Sequence, residues 1–363
     1  GIDPYRSTPL DPALVPLRDP WLFPPGCTVG TEPCTRINRP TVPTIYPPVA
    51  QAEFTAVHLL TRPLGSDGGA ARTWQVAAAL LALGVLGALL RLLRGCGDPR
   101  QAVLWAWCPT VVLETGGGAH VDVLAALLVV GAMASASSGR RGWAGAAFGA
   151  AVATKLLPVL VLPALVAPLA DRAWRRRARF LAAAVGVVVA VYLPHVLAVG
   201  PRVIGFLPGY LGQEGYDGAG RFALLQPWLP PGVAVVVGAV LVGAVAFAVA
   251  WRGDPHRPWR GAVLVVGVTF ALVGVSYPWY AMLLVVLVAL DGRAAWLAVA
   301  AAAYPAYLAG PLGWSVALTE RLACGCAIAL VAVVALRARN AAVGSGTGQP
   351  SVPARGRQEA RHG

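Results

Sequence analysis

Between two apolar runs, 101–113 and 123–136, the chain carries Glu114-Thr-Gly-Gly-Gly-Ala-His120-Val-Asp122, two carboxylates and an imidazole on a glycine turn. A desolvated carboxylate or imidazole in such a turn can be poised to take a proton, with its neighbours as orienting partners. The same residues also suit helix ends, because an acid at Asp122 would cap and favour a helix N-terminus. A divalent ion on the trio is a third, minor reading, and no zinc-type spacing occurs anywhere in the chain. Lys155 is the only lysine among 29 basic residues. It offers a point charge to a phosphate, or snorkels to an interface. Arg221, after Gly-Ala-Gly in a long loop, can share that phosphate or be a solvated loop arginine. Tyr277-Pro-Trp279-Tyr280 fits an interfacial aromatic belt, or a platform for a sugar or lipid chain.

The elements that must position these groups are membrane helices. Of 363 residues 57% are hydrophobic and 12% charged, with mean hydropathy +0.65, whereas soluble domains carry about 25% charged residues. The fold class is therefore all-α and polytopic. A formal charge of +13 would point to nucleic acid in a soluble protein; here the excess follows the positive-inside rule, and no nucleic-acid partner is expected. Apolar runs occupy 74–93, 101–113, 123–136, 143–155, 156–169, 178–198, 232–251, 261–276, 280–290, 294–309 and 317–336. Arginines crowd alternate connections: Arg91 to Arg100, Arg140 and Arg141, 171–179, 252–260, Arg293 and the tail from Arg337. The alternation closes only if 143–169, broken by Pro158, Pro163 and Pro168, crosses twice.

About eleven crossings are then visible, and about twelve are expected for an intact protein. Gly1 is not an initiator methionine and no apolar span precedes the polar opening, so an upstream helix is expected to be missing. Residues 1–73 form an extracytoplasmic, proline-rich first loop with an interfacial helix at 48–60, 74–336 the membrane domain, and 337–363 a disordered cytoplasmic tail whose arginines meet anionic membrane lipids. Cys27 and Cys34 share the first loop and can pair if it lies outside the cytoplasm; Cys96, Cys108, Cys324 and Cys326 read as small buried side chains.

A 13-residue run makes a helix of roughly 20 Å against about 30 Å of hydrocarbon, so the 114–122 turn should sit in a recess. Ionisable groups at such depth are functional suspects. On this topology the outer face gathers Asp3, Tyr5, Arg6 and Tyr46, the Glu114 turn, Lys155, then Glu214, Tyr216, Asp217, Arg221 and the Tyr277 turn. No glycine-rich phosphate loop follows a strand, which speaks against a nucleotide-using enzyme.

Together these residues resemble bacterial membrane glycosyltransferases of the GT-C architecture, most closely the polyprenol-phosphate-mannose-dependent α-mannosyltransferases of actinobacterial envelopes. The resemblance rests on Gly1-Ile-Asp-Pro-Tyr-Arg6, Asp11-Pro-Ala-Leu14, Leu17-Arg-Asp19, Ile37-Asn-Arg-Pro-Thr-Val-Pro-Thr-Ile-Tyr-Pro-Pro-Val-Ala-Gln51, Gly118-Ala-His-Val-Asp122, Thr154-Lys-Leu-Leu-Pro158 and Pro278-Trp-Tyr280. It covers most of the chain in order and is most specific in the first loop.

The resemblance implies a plasma-membrane enzyme with its active face extracytoplasmic. Its donor would be a polyprenyl-phosphate-linked sugar, with mannose the implied sugar, and its acceptor an envelope glycan or glycolipid. No cofactor or metal is implied. An acid of the first loop would deprotonate the acceptor, cations would receive the leaving phosphate, and the anomeric configuration would invert. Glu114, His120 and Asp122 would shape the acceptor or order the base, and Tyr5, Arg6, Tyr46, Lys155, Arg221, Trp279 and Tyr280 would bind substrate. One departure stands out: the family's acidic motif immediately precedes the equivalent of Gly1, so the base lies upstream or Asp3 stands near it. Two other readings stay open, a lipid or solute transporter or flippase built on the proline-broken pair, and a catalytically inactive scaffold of the same fold.

Overall fold

A computed structural model describes residues 2–61, 69–215, 221–275 and 277–346. Its helices, in chain order, are α1 (Pro48–Thr61), α2 (Gly69–Cys96), α3 (Val103–Ala106), α4 (Pro109–Val112), α5 (Asp122–Ser137), α6 (Arg141–Val152), α7 (Leu162–Val166), α8 (Trp174–Val199), α9 (Leu207–Gln213), α10 (Pro231–Arg252), α11 (Trp259–Val273), α12 (Met282–Asp291), α13 (Leu297–Ala301), α14 (Ala303–Ala309) and α15 (Val316–Gly346). The strands among the described residues are a hairpin in the first loop, β1 (Thr28–Val29) and β2 (Glu32–Pro33), closed by a Cys27–Cys34 disulfide.

The long and short helices divide the work. Four stretches, 72–96, 174–213, 231–252 and 316–341, are long and apolar enough to cross a membrane. Leu80, Leu83, Val185, Val189, Val236 and Phe247 on them are exposed. Apolar surface on that scale needs lipid, not water, to cover it. The chain is a polytopic membrane protein. The short helices are the inside: every residue of α12 from Met282 to Leu290 is buried. A helix apolar all round but only about 15 Å long is enclosed by its neighbours. α12 is enclosed by α11, α5, α3 and α2.

Residues 141–170 run the length of the bundle and return. Lys155, just after α6, meets Asp122 at the start of α5, while Leu169 N–H donates to Ala250 O at the far end of α10 (2.7 Å). α6 lies close against α8 because it presents Gly145 and Gly149. A Cβ at these positions would stand 2.0 Å from Phe180 O and 2.4 Å from Ala184 O, which is backbone and cannot give way. Small residues four apart let two membrane helices approach in this manner.

Three details differ from the sequence reading. The 101–113 run is not one helix: Cys108 is extended (φ −71°, ψ 121°), Pro109 restarts the helix as α4, and residues 113–117 widen into a π-turn. Proline cannot donate into the preceding turn and holds the residue before it out of helical geometry. α15 continues to Gly346, past the start expected for the tail; residues 347–363, with Tyr216 and Asp217, lie outside the described residues. Cys326 is exposed on the flank of α15, not buried.

Candidate functional site

At the end of the bundle opposite the arginine-rich connections lies a cleft of about 680 Å³ between the first loop, α8, α9, α10 and α11. Leu156, Val159, Leu160, Val188, Val235 and Val273 supply its apolar walls. Its polar side chains include Lys155, Arg221, Thr269 and the tyrosines Tyr5, Tyr46, Tyr192, Tyr210 and Tyr280. Five residues singled out from the sequence, Tyr5, Tyr46, Lys155, Arg221 and Tyr280, thus share one cavity. A mostly apolar cleft of several hundred Å³ with a few converging polar groups is the usual form of a ligand site.

Lys155 leaves the helix at the end of α6 because Pro158 prevents continuation, and its side chain turns back into the bundle. Nζ donates to Asp122 Oδ2 at 3.0 Å and stands 5.2 Å from the Tyr46 ring and 4.9 Å from the Tyr280 ring. One carboxylate and two π-faces therefore hold the ammonium group at the cleft wall. Asp122 is buried behind it, with its Oδ2 on the Lys155 ammonium group.

Arg221 does not stand alone. Its guanidinium donates to the backbone O and the Oε2 of Glu214. Glu214 Oε1 accepts from Tyr277 Oη at 2.6 Å and lies 3.9 Å from Arg39 Nη2. Arg39 and Arg221 thus gather on one carboxylate, with Arg221 also lining the cleft. Tyr210, on α9, shares a 2.6 Å hydrogen bond with Tyr280 across the cavity.

The glycine turn forms a neighbouring cluster. Glu114 Oε1 accepts from Tyr304 Oη at 3.0 Å, and its Oε2 lies 3.4 Å from His120 Nε2. A Cβ on Gly118 would stand 2.6 Å from the His120 ring, so the glycine makes room for the imidazole, and Ala119 adopts φ +51° to turn the chain into α5. A non-glycine residue in that region is strained, a feature common at functional sites. Burial, then the Lys155 charge, pushes the His120 pKa down to about 4, so the ring is neutral at ordinary pH. Burial raises Glu114 above the usual carboxylate range against the opposing Tyr304 hydrogen bond. His120 stacks on Trp279 (4.0 Å between centroids, 18° apart), and Trp279 stacks in turn on Tyr277 (4.6 Å, 16°). This three-ring column joins the glycine turn to the Arg221–Glu214 pair. The structure therefore divides the Glu114/His120/Asp122 trio into two partnerships, and among the described residues no three His, Cys, Asp or Glu side chains are grouped to hold a metal ion.

Asp3 lies next to the cleft wall. Its Oδ1 accepts from Tyr5 N–H at 2.9 Å and its Oδ2 meets His195 Nδ1 at 2.8 Å. A carboxylate only accepts, so this contact assigns a proton to Nδ1. The Tyr5 ring packs edge-on against His195 (5.1 Å), and its hydroxyl donates to Tyr46 O at 2.8 Å. Burial raises the Tyr5 pKa, so the phenol stays protonated. Arg6 is exposed and outside the cleft lining. His195, Glu214, Tyr210 and Tyr304 were not named as site residues from the sequence. His195 gave only the weak signal of an imidazole beside Pro194 inside an apolar run.

No curated protein and no solved structure matched the chain. The model of glycosyltransferase family 87 matches residues 44–276, more than half of the chain and all of the cleft except the residues before 44 and after 276. The chain belongs to glycosyltransferase family 87, and is a membrane glycosyltransferase.

Proposed function

We propose that the enzyme transfers a sugar, mannose, from a polyprenyl-phosphate donor to an envelope glycan or glycolipid on the extracytoplasmic face of the plasma membrane, with inversion at the anomeric carbon. The observation that carries this reading is the composition of the cleft: walls fit for a lipid chain, with the cations Lys155 and Arg221 lining the same cavity. An amphiphile with one phosphate between tail and sugar fits such a surface. In this reading the path is GT-C-like with about eleven crossings, and the arginine-rich connections at the opposite end support an outward-facing cleft. The Cys27–Cys34 pairing supports the same side, since disulfides persist in oxidising compartments.

In the reaction, the acceptor hydroxyl oxygen forms a bond to the sugar's anomeric carbon as the bond from that carbon to the phosphate oxygen breaks. The hydroxyl proton goes to Asp3, which His195 orients and whose place beside Tyr5 sets it next to the cleft wall. The polyprenyl phosphate leaves with its bonding electron pair, and Lys155 and Arg221 meet the added charge. Glu114 and His120 shape the acceptor side, and the Tyr280 ring at the cleft carries the sugar, with Trp279 packed edge-on behind it. This chemistry uses no cofactor.

The test is transfer of labelled mannose from polyprenyl-phosphate mannose by the full-length protein in liposomes containing envelope glycolipids. Product is expected with wild type and a loss of about a hundredfold or more with Asp3→Asn. Wild-type rates from Asp3→Asn would remove Asp3 as base, and transfer from a sugar nucleotide but not from the lipid donor would overturn the donor class.

A further inference from the structure

A second cavity, of about 690 Å³, lies between the end of α10, the N-terminal half of α11 and the end of α12. It is separate from the cleft: Val235 lines one and Arg252 the other, roughly 25 Å apart along α10. Val245, Leu264 and Val268 form its apolar wall, and Arg252, Arg260 and Arg293 its polar edge, with Asp254 and Asp291. These charges are not equivalent. Arg293 is paired with Asp291 and donates to Arg260 O at 2.8 Å, and Asp254 accepts from His256 N–H at 2.8 Å. Arg252 and Arg260 are exposed and in no ion pair among the described residues. The first turn of α11 adds the positive end of a helix dipole at the same place. Phe247 and Trp251, on the same end of α10, are exposed.

We propose that this cavity is a binding site for an anionic glycerophospholipid. Its phosphate rests on Arg252 and Arg260, and an acyl chain runs along Val245, Leu264 and Val268 between α10 and α11. Charge selects the occupant: two guanidinium groups without carboxylate partners favour a lipid of net negative charge over a zwitterionic one, whose cationic headgroup would face them. The apolar wall continuing from the arginines requires a tail, which a free anion lacks. The site does not depend on which sugar or donor the cleft takes.

Native mass spectrometry of the full-length protein in detergent, titrated with phosphatidylglycerol or phosphatidylcholine, tests this directly. One phosphatidylglycerol should be retained in preference to phosphatidylcholine, and Arg252→Gln and Arg260→Gln should each weaken its retention about fivefold. Inorganic phosphate at millimolar levels should not displace it. Both side chains are exposed, so the variants should melt like wild type in lipid-free detergent, which separates lost binding from lost fold. Equal retention of the two lipids, unchanged retention in the double variant, or displacement by inorganic phosphate would each overturn the proposal.

Discussion

Replacing Lys155 by methionine removes a cation from the cleft and leaves Asp122 without its partner. The side chains of the pair are 15% and 7% exposed, so the carboxylate left behind has little water to replace the ammonium. Breaking a buried pair from one side costs about 3–5 kcal/mol, mostly the uncompensated charge. Lys155→Met and Asp122→Asn should therefore each lower the melting point in detergent markedly. The double variant, in which no buried charge is left unpaired, should recover most of that stability. Activity should behave differently. If Lys155 meets the leaving phosphate, its removal costs about 10²–10³ in rate, the range seen for one lost donor to a developing anion. The double variant should then be stable and slow. A double variant as active as wild type would refute the phosphate role, and single variants that melt normally would refute the buried pair itself.

Other consequences are checked more briefly. His195→Gln should lower kcat with little change in donor KM and should shift the pH–rate profile, because the imidazole acts by orienting Asp3; an unchanged profile would reduce the pair to packing. The His120 pKa is lowered from 6.5 to about 4, so the unfolded chain binds more protons between those values. Stability from this residue is fully present above pH 6.5 and falls as pH drops, so melting measured at pH 7.5 and 5 should show a fall that His120→Gln flattens. Glu114 has the opposite sign, its pKa being raised, and Glu114→Gln should leave the His120 slope in place. Gly149→Leu should separate α6 from α8 at a cost of about 1–3 kcal/mol or more, visible as a lower melting point.

The membrane class, the order of the apolar runs and the return path of 141–170 were legible because charge and proline mark helix ends whatever surrounds them. Partner choice was not. In water, a helix's polar face shows which side is buried; helices that are apolar all round, such as α12, carry no such mark. The neighbours of Glu114 and Asp122 were hidden for the same reason: Tyr304 is 190 residues from Glu114, and Lys155 is 33 from Asp122. The local glycine turn made one trio seem natural, whereas burial requires each acid to find its own donor, and they found different ones. His120 on Trp279 could not be foreseen from spacing, although both residues stood out individually. Glu214 and Arg221 stood out in the same loop, but their pairing did not, because seven residues of loop carry no period that brings two side chains together.

The central claim is that Lys155, at the polar end of an apolar cleft, receives the phosphate of a lipid-linked sugar. It is tested most directly by single-turnover transfer from radiolabelled polyprenyl-phosphate mannose in liposomes, comparing wild type with the stable Lys155→Met/Asp122→Asn variant. The predicted result is glycolipid product with wild type and a rate at least a hundredfold lower with the variant at saturating donor. Equal rates would contradict it.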